Sequence, residues 1–205
     1  MQRQLGFLGG MLLWTMVACQ SSAIFQASRH EQAFRERYID YPFYTAILLH
    51  PYRYNAEYLV DLTGTVAERE SETVRAPVVV PAGTHIRVTG IEGRYVLARV
   101  SGYTPLFRFF IHTQGGTIED VAKELTIVLA KDPPLLSARP EIRPFVERQE
   151  VTQGMTRREV PMSWGLPDRV NEIPGSSGTI EEWIYFQTGM HLFLHNGLVT
   201  NWQQY

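Results

Sequence analysis

Apolar and polar positions change their spacing several times along this 205-residue chain, and each change marks a different kind of segment. Leu5 to Ala18 is an apolar run of fourteen residues, interrupted by Gly9 and Gly10. It falls short of the about 20 residues that span a hydrocarbon core. Behind Arg3 and a free amino terminus it has the size of a signal-peptide core. Gln20 to Ser28 is small and polar, as a flexible tether should be. Phe34 and Tyr38 share a face at i, i+4 spacing, which predicts a short helix over Arg29 to Tyr38 that Tyr41-Pro42 ends. From there to Gly115 the pattern reads as strands: Tyr58 to Val66, Val78 to Val80, Ile86 to Val88, Tyr95 to Val100 and Leu106 to Ile111. Their short, glycine-punctuated spacing predicts a small closed barrel. Thr117 to Lys131 then turns helical, with Thr117 and Asp120 placed to cap it. Ile118, Val121, Ala122, Leu125, Val128 and Leu129 form its apolar stripe, which should close one end of the barrel.

Four prolines (Pro133, Pro134, Pro140 and Pro144) make residues 132–147 a semi-rigid linker. Beyond it Thr156 caps a second helix, with Glu159 at the capping-box position and Met155 able to staple onto Val160. Pro161 lies too deep in that helix for a free first-turn position, so the helix should be short or bent, with Gly165 as its stop. Three strands follow: Glu181 to Gln187, Met190 to His195 and Leu198 to Gln204. Thr188-Gly189 and Asn196-Gly197 read as their hairpin turns. Two-residue loops would put Trp183, Tyr185, Leu192, Leu194 and Val199 on one face, and Ile184, Phe186, His191, Phe193, His195, Leu198 and Trp202 on the other. One short helix covers only one of these faces. The other is too apolar to stand bare, so it should meet either the barrel and linker or a partner protein. Phe186, His191, Phe193, His195 and Trp202 are therefore the candidate partner-binding residues.

Composition narrows the function. Arg3 is the only charged side chain before Cys19; without that leader the chain holds 18 basic against 21 acidic residues, or −3. Such a balance gives no electrostatic argument for nucleic acid or an anionic membrane surface. The single cysteine excludes a disulfide framework. Met16-Val17-Ala18-Cys19 resembles the lipobox of bacterial lipoproteins, with Met16 in place of the usual leucine. That resemblance implies removal of residues 1–18, lipidation of Cys19, and a lipid-attached tether over 19–28. Two or three acyl chains then hold the protein to a membrane, each buried CH₂ contributing about 0.8 kcal/mol. In a Gram-negative host, Gln20 in place of aspartate after the cysteine implies the outer membrane, on its periplasmic face.

Two family resemblances set the expected fold. Ala82-Gly83-Thr84-x-Ile86-x-Val88 resembles bacterial SH3-like barrels over about a dozen residues. Gly154-Met155-Thr156-x-x-Glu159-Val160 and Trp164-Gly165-x-Pro167-Asp168-x-Val170-Asn171 resemble the SmpA/OmlA (BamE-type) lipoprotein domain. Glu182-Trp183-x-Tyr185, Leu194-His195-Asn196-Gly197 and Asn201-Trp202-Gln203 extend that match to about 55 residues. Pro161 departs from the family pattern. The expectation is an α+β protein: an SH3-like β-barrel with flanking helices over residues 29–131, and a C-terminal helix on a three-stranded antiparallel sheet over 148–205. The second resemblance implies a non-catalytic interaction module for envelope proteins, with the barrel-assembly machinery as the candidate partner.

No catalytic or dinucleotide motif occurs in the chain. His191 and His195 lie about 13 Å apart along one strand, too far to share a metal. Glu181 and Glu182 point to opposite faces. Asp61, Glu68 and Glu70 with Arg69 read as the solvated side of a strand. No catalytic, cofactor or metal site is expected, and the weakest alternative is an enzyme that brings Asp61, His85 or His112 into one cleft. Tyr38, Tyr41, Tyr44, Tyr52, Tyr54 and Tyr58 read as core and edge packing, or as a sugar-stacking surface. The latter gives the second functional reading, a cell-wall binding lipoprotein.

Overall fold

A computed structural model describes residues 31–62, 74–112, 117–175 and 178–205. The leader, Cys19, the tether and the Glu68-Arg69-Glu70 run lie outside the described residues. The chain divides into two units, Met1–Tyr38 and Ile39–Tyr205. In the first, residues 31–38 form a helix, α1, in which the Phe34 and Tyr38 rings stand 5.0 Å apart, as their spacing predicts.

The second unit contains two sheets among its described residues. The larger takes β1 (Pro42–Thr45), β2 (Tyr52–Tyr54), β3 (Glu57–Asp61), β4 (Val74–Arg75), β5 (His85–Glu92), β6 (Tyr95–Val100), β7 (Phe107–Phe110) and β8 (Leu129–Ala130) in the order β4-β2-β3-β7-β6-β5-β1-β8. Its pairs are antiparallel except β3 with β7. The SH3-like barrel expected from the Ala82-Gly83-Thr84 stretch is thereby corrected to an eight-stranded mixed sheet. The turn itself forms: Gly83 takes φ 85°, and the Thr45 hydroxyl, fully buried, donates to Pro81 O at 2.7 Å and accepts from Thr84 N at 3.0 Å. A turn motif fixes the local path of the chain, whereas pairing depends on residues distant in sequence.

Thr117 and Asp120 make the predicted capping box at the start of α2 (Ile118–Val128). Ala122, Leu125 and Val128 are its buried face. The helix ends three residues before Lys131, because Leu129 and Ala130 leave it to pair with Thr45 and Tyr44 of β1.

The smaller sheet is β9 (Arg169–Gly175), β10 (Gly178–Tyr185), β11 (Met190–His195) and β12 (Leu198–Gln204), antiparallel in the order β12-β11-β10-β9. Four strands replace the three expected. The extra one, β9, is polar and contains Pro174, and it stands at the sheet edge, where a missing N–H is tolerated.

The covering layer also differs from a single helix. Ala138, Ile142, Val146, Val151, Met155, Val160 and Met162 pack with Trp183, Tyr185, Leu192, Leu194 and Val199 in one core. The proline-rich stretch expected as a linker thus supplies part of this core, through a 3-10 turn (Pro134–Leu136) and α3 (Arg143–Glu147). The last helix, α4 (Val160–Trp164), starts three residues later than the Thr156 cap predicts. That start answers the difficulty of Pro161: it sits in the first turn, where its nitrogen has no intrahelical partner to lose. Thr156 and Glu159 still exchange their capping-box bonds, around a turn that precedes the helix.

Leu192 has no exposed surface and sits at the centre of this core. Leu192→Ala is expected to cost about 2–5 kcal/mol. A urea unfolding midpoint equal to the wild type's would show that the layer 138–162 does not pack on the sheet.

Candidate functional site

The face of the smaller sheet that points away from this core carries His191, Phe193 and His195 of the sequence-predicted site residues. Three rows cross it. Arg169, Ile184, His191 and Gln203 form the first; Asn171, Glu182, Phe193 and Asn201 the second; Ile173, Ile180, His195 and Leu198 the third.

His195 pairs with Leu198 across the Asn196-Gly197 turn, whose φ values of 52° and 78° are those of the expected type I′ hairpin. The other turn is longer than predicted. Tyr185 pairs with Met190, so residues 186–189 form a four-residue loop. A slip of two residues leaves the alternation of faces intact, so His191, Phe193 and His195 still share a face with Ile184. Phe186 moves from the strand into the loop, where it is 55% exposed, lies under the Arg169 guanidinium and donates its N–H to Asp168 at 2.8 Å.

Trp202 is a correction. The register shifts between Phe193 and Leu194, so Leu194 faces Val199 while Phe193 faces Asn201. One extra residue in β12 turns every later side chain over. Trp202 therefore lies opposite Leu192, on the core face, and leaves the predicted cluster.

Two residues absent from the predicted set shape the centre of the outer face. Glu182 Oε1 lies 2.8 Å from His191 Nδ1, and Glu182 Oε2 accepts from Asn171 Nδ2 at 2.9 Å. The Asn171 amide first, and His191 second, hold the Glu182 carboxyl below its ordinary value. Asn171 could be found only by predicting β9. Glu182 was legible in the sequence, since it alternates with Trp183, but its role needs the partners that β9 and β11 bring.

Glu181 and Glu182 do point to opposite faces. Glu181 is buried on the core side, accepting from Arg157 Nη2 at 2.5 Å and Trp183 Nε1 at 3.1 Å. The outer face is therefore polar at its centre and apolar at one end, where Ile173 and Leu198 are 48% and 45% exposed on the two edge strands.

The three residues weighed for an enzyme are not brought together. Asp61 pairs with Phe110, which faces Tyr95 at one end of β6, while His85 adjoins the pair Ile86 and Val100 at the other end. Five strand steps separate those ends, about 17 Å. His112 is exposed, and its N–H donates to Glu124 at 2.7 Å.

The tyrosines are similarly spread. Tyr52 and Tyr54 pack beside Leu59 and Phe110, Tyr58 meets Phe107 edge-on at 5.0 Å, and Tyr44 lies 4.5 Å from His85. Four strands separate β1 from β2 in the sheet order. No group of three or more His, Cys, Asp or Glu able to hold a metal occurs among the described residues, and no described helix is long and apolar enough to cross a membrane.

Compared with known proteins, the chain matches no family model, no curated protein and no solved structure.

Proposed function

We propose that the protein is a non-catalytic lipoprotein, anchored through Cys19 to the periplasmic face of the outer membrane, that docks onto another envelope protein by the outer face of its four-stranded sheet. The observation that carries the docking reading is the apolar row of Ile173, Ile180 and Leu198 beside His195, half-exposed at both edges of the sheet. Exposed apolar side chains next to a satisfied polar centre give an interface both contact area and a fixed register. The Glu182–His191–Asn171 network supplies that polar centre without leaving a buried charge unpaired. The barrel-assembly machinery is the candidate partner, on the strength of the SmpA/OmlA resemblance alone.

The test is affinity purification of the tagged full-length protein from membranes in mild detergent. Barrel-assembly components should co-elute with the wild type. Leu198→Asp combined with Ile173→Asp should reduce that recovery at least tenfold while the circular-dichroism spectrum and melting temperature stay close to the wild type's. Recovery unchanged by both substitutions would remove this face from the interface. A partnerless protein that sediments with purified sacculi would replace the reading with cell-wall binding.

A further inference from the structure

Two spaces open side by side where the loop after β1 meets α4 and the end of β10, one of about 290 Å³ and one of about 60 Å³. They share Leu48, His50, Leu166 and Asp168 in their walls. Leu48, Trp164, Leu166, Tyr185 and Met190 make the larger one mainly apolar, and the exposed polar residues Gln149, Gln187 and Thr188 complete its wall. Ser163 lines it too, but its hydroxyl is closed off and takes no part. The smaller space adds Asp61 to His50 and Asp168.

The ionisable groups on these walls lean one way. Asp61 and Asp168 are carboxylates, His50 is the one base, and among the described residues no lysine or arginine lines either space. Asp168 Oδ2 accepts the Phe186 N–H at 2.8 Å, and both carboxylates have further interactions within the fold. A carboxylate offers about four acceptor positions, so such interactions leave room for another donor. On the aromatic side, Tyr185 donates its hydroxyl to Gly165 O at 3.3 Å. Burial first, and the Asp168 charge second, push its phenol well above the ordinary value, so it stays a neutral ring.

We infer that the larger space binds a small organic cation, a primary ammonium held by Asp168 on an apolar or aromatic body. The size follows from volume: a cavity of about 150 Å³ takes one benzene ring, so this one takes a molecule of roughly ten heavy atoms. The sign follows from the walls. Two carboxylates in a cleft with apolar sides focus a negative potential, which draws a cation and repels an anion. The rings act in the same direction: Trp164 and Tyr185 meet edge to face with centroids 5.5 Å apart, and aromatic faces attract an ammonium within about 6 Å. A mostly apolar pocket with a few polar groups at one side fixes the orientation of such a ligand. This site lies on the core side of the smaller sheet and depends neither on the docking face nor on the lipid anchor.

The probe is 2-phenylethylamine, charged at neutral pH, with 2-phenylethanol as the uncharged control of equal size. Each is titrated against the full-length protein in mild detergent and followed by calorimetry, with a detergent blank for partitioning. Saturable binding of the amine is expected, with the alcohol about tenfold weaker. Asp168→Asn keeps an oxygen for the Phe186 N–H, so it should fold, weaken the amine about tenfold and leave the alcohol unchanged. Met190→Trp, which fills the larger space, should abolish binding of both. No saturable binding of the amine by the wild type overturns the site, as does an alcohol that binds equally well. Amine binding that Asp168→Asn leaves unchanged overturns it too; should that variant fail to fold, Asp61→Asn is read in the same way.

Discussion

Glu159→Gln is expected to destabilise the protein, the lost charge accounting for about 2–3 kcal/mol at neutral pH and less than half as much at pH 3. Glu159 is 4% exposed and binds two separate parts of the covering layer at once, Arg139 and Thr156. Arg139 Nε and its backbone N–H donate to Oε1 at 3.1 Å each, Arg139 Nη2 donates to Oε2 at 2.8 Å, and the Thr156 N–H and hydroxyl both donate to Oε2 at 2.9 Å. Burial alone would raise the carboxyl, but Arg139 and Thr156 outweigh it and hold it at about 2 instead of the ordinary 4.5.

The sign follows from that depression. The stabilisation is present in full above the unfolded value of 4.5 and disappears as pH falls from there toward 2. A 2.5-unit difference corresponds to about 3 kcal/mol, trimmed toward 2 because the half-exposed Arg139 lets water screen the pair. Glutamine keeps the shape and loses the charge, but its amide nitrogen also faces donors that now reach a carboxylate oxygen, a cost that does not change with pH, so the charge term is the difference between the two pH values. Urea unfolding of both proteins at pH 7 and pH 3 measures it. An equal difference at the two pH values would mean that Glu159 is not held ionised by its partners.

Gly165→Ala should cost about 2–4 kcal/mol, for a reason local to the junction of the two sheets. Gly165 adopts φ 76° and ψ −171°, a region open essentially to glycine only, which costs other residues of order 1–3 kcal/mol. A Cβ there would stand 2.8 Å from Leu48 O, a backbone atom that cannot rotate away. Leu48 N donates to Pro161 O at 2.9 Å, one of the bonds that tie the loop after β1 to α4. Displacing Leu48 strains that bond and adds about 1 kcal/mol.

Gly93 provides the comparison. It also has positive φ, 57°, but nothing lies within 4 Å of its added Cβ, so Gly93→Ala should cost only about 1 kcal/mol. Urea midpoints give both costs, and hydrogen exchange at the Leu48 amide reports where the first one falls. If the two alanines cost the same, the close approach of Leu48 to Gly165 contributes nothing to stability.

What the sequence determined by itself was local. The capping box at Thr117 and Asp120, the Asn196-Gly197 hairpin, the glycine stop at 165 and the alternation of Trp183, Tyr185, Leu192 and Leu194 all depend on neighbours within a few residues. Side-chain chemistry at close range is enough to set them. Tertiary structure decided everything that needs a distant partner. It drew Leu129 and Ala130 out of a helical stripe into a ladder with β1, because an unpaired strand edge gains more from two partners than a helix loses at its frayed end. It gave the polar, proline-bearing β9 an edge to occupy, and it turned the proline-rich segment 132–147 into part of a core by offering it an apolar sheet to cover. It moved Trp202 to the opposite face through a single bulge, since side chains alternate with a period of two and one inserted residue inverts all that follow.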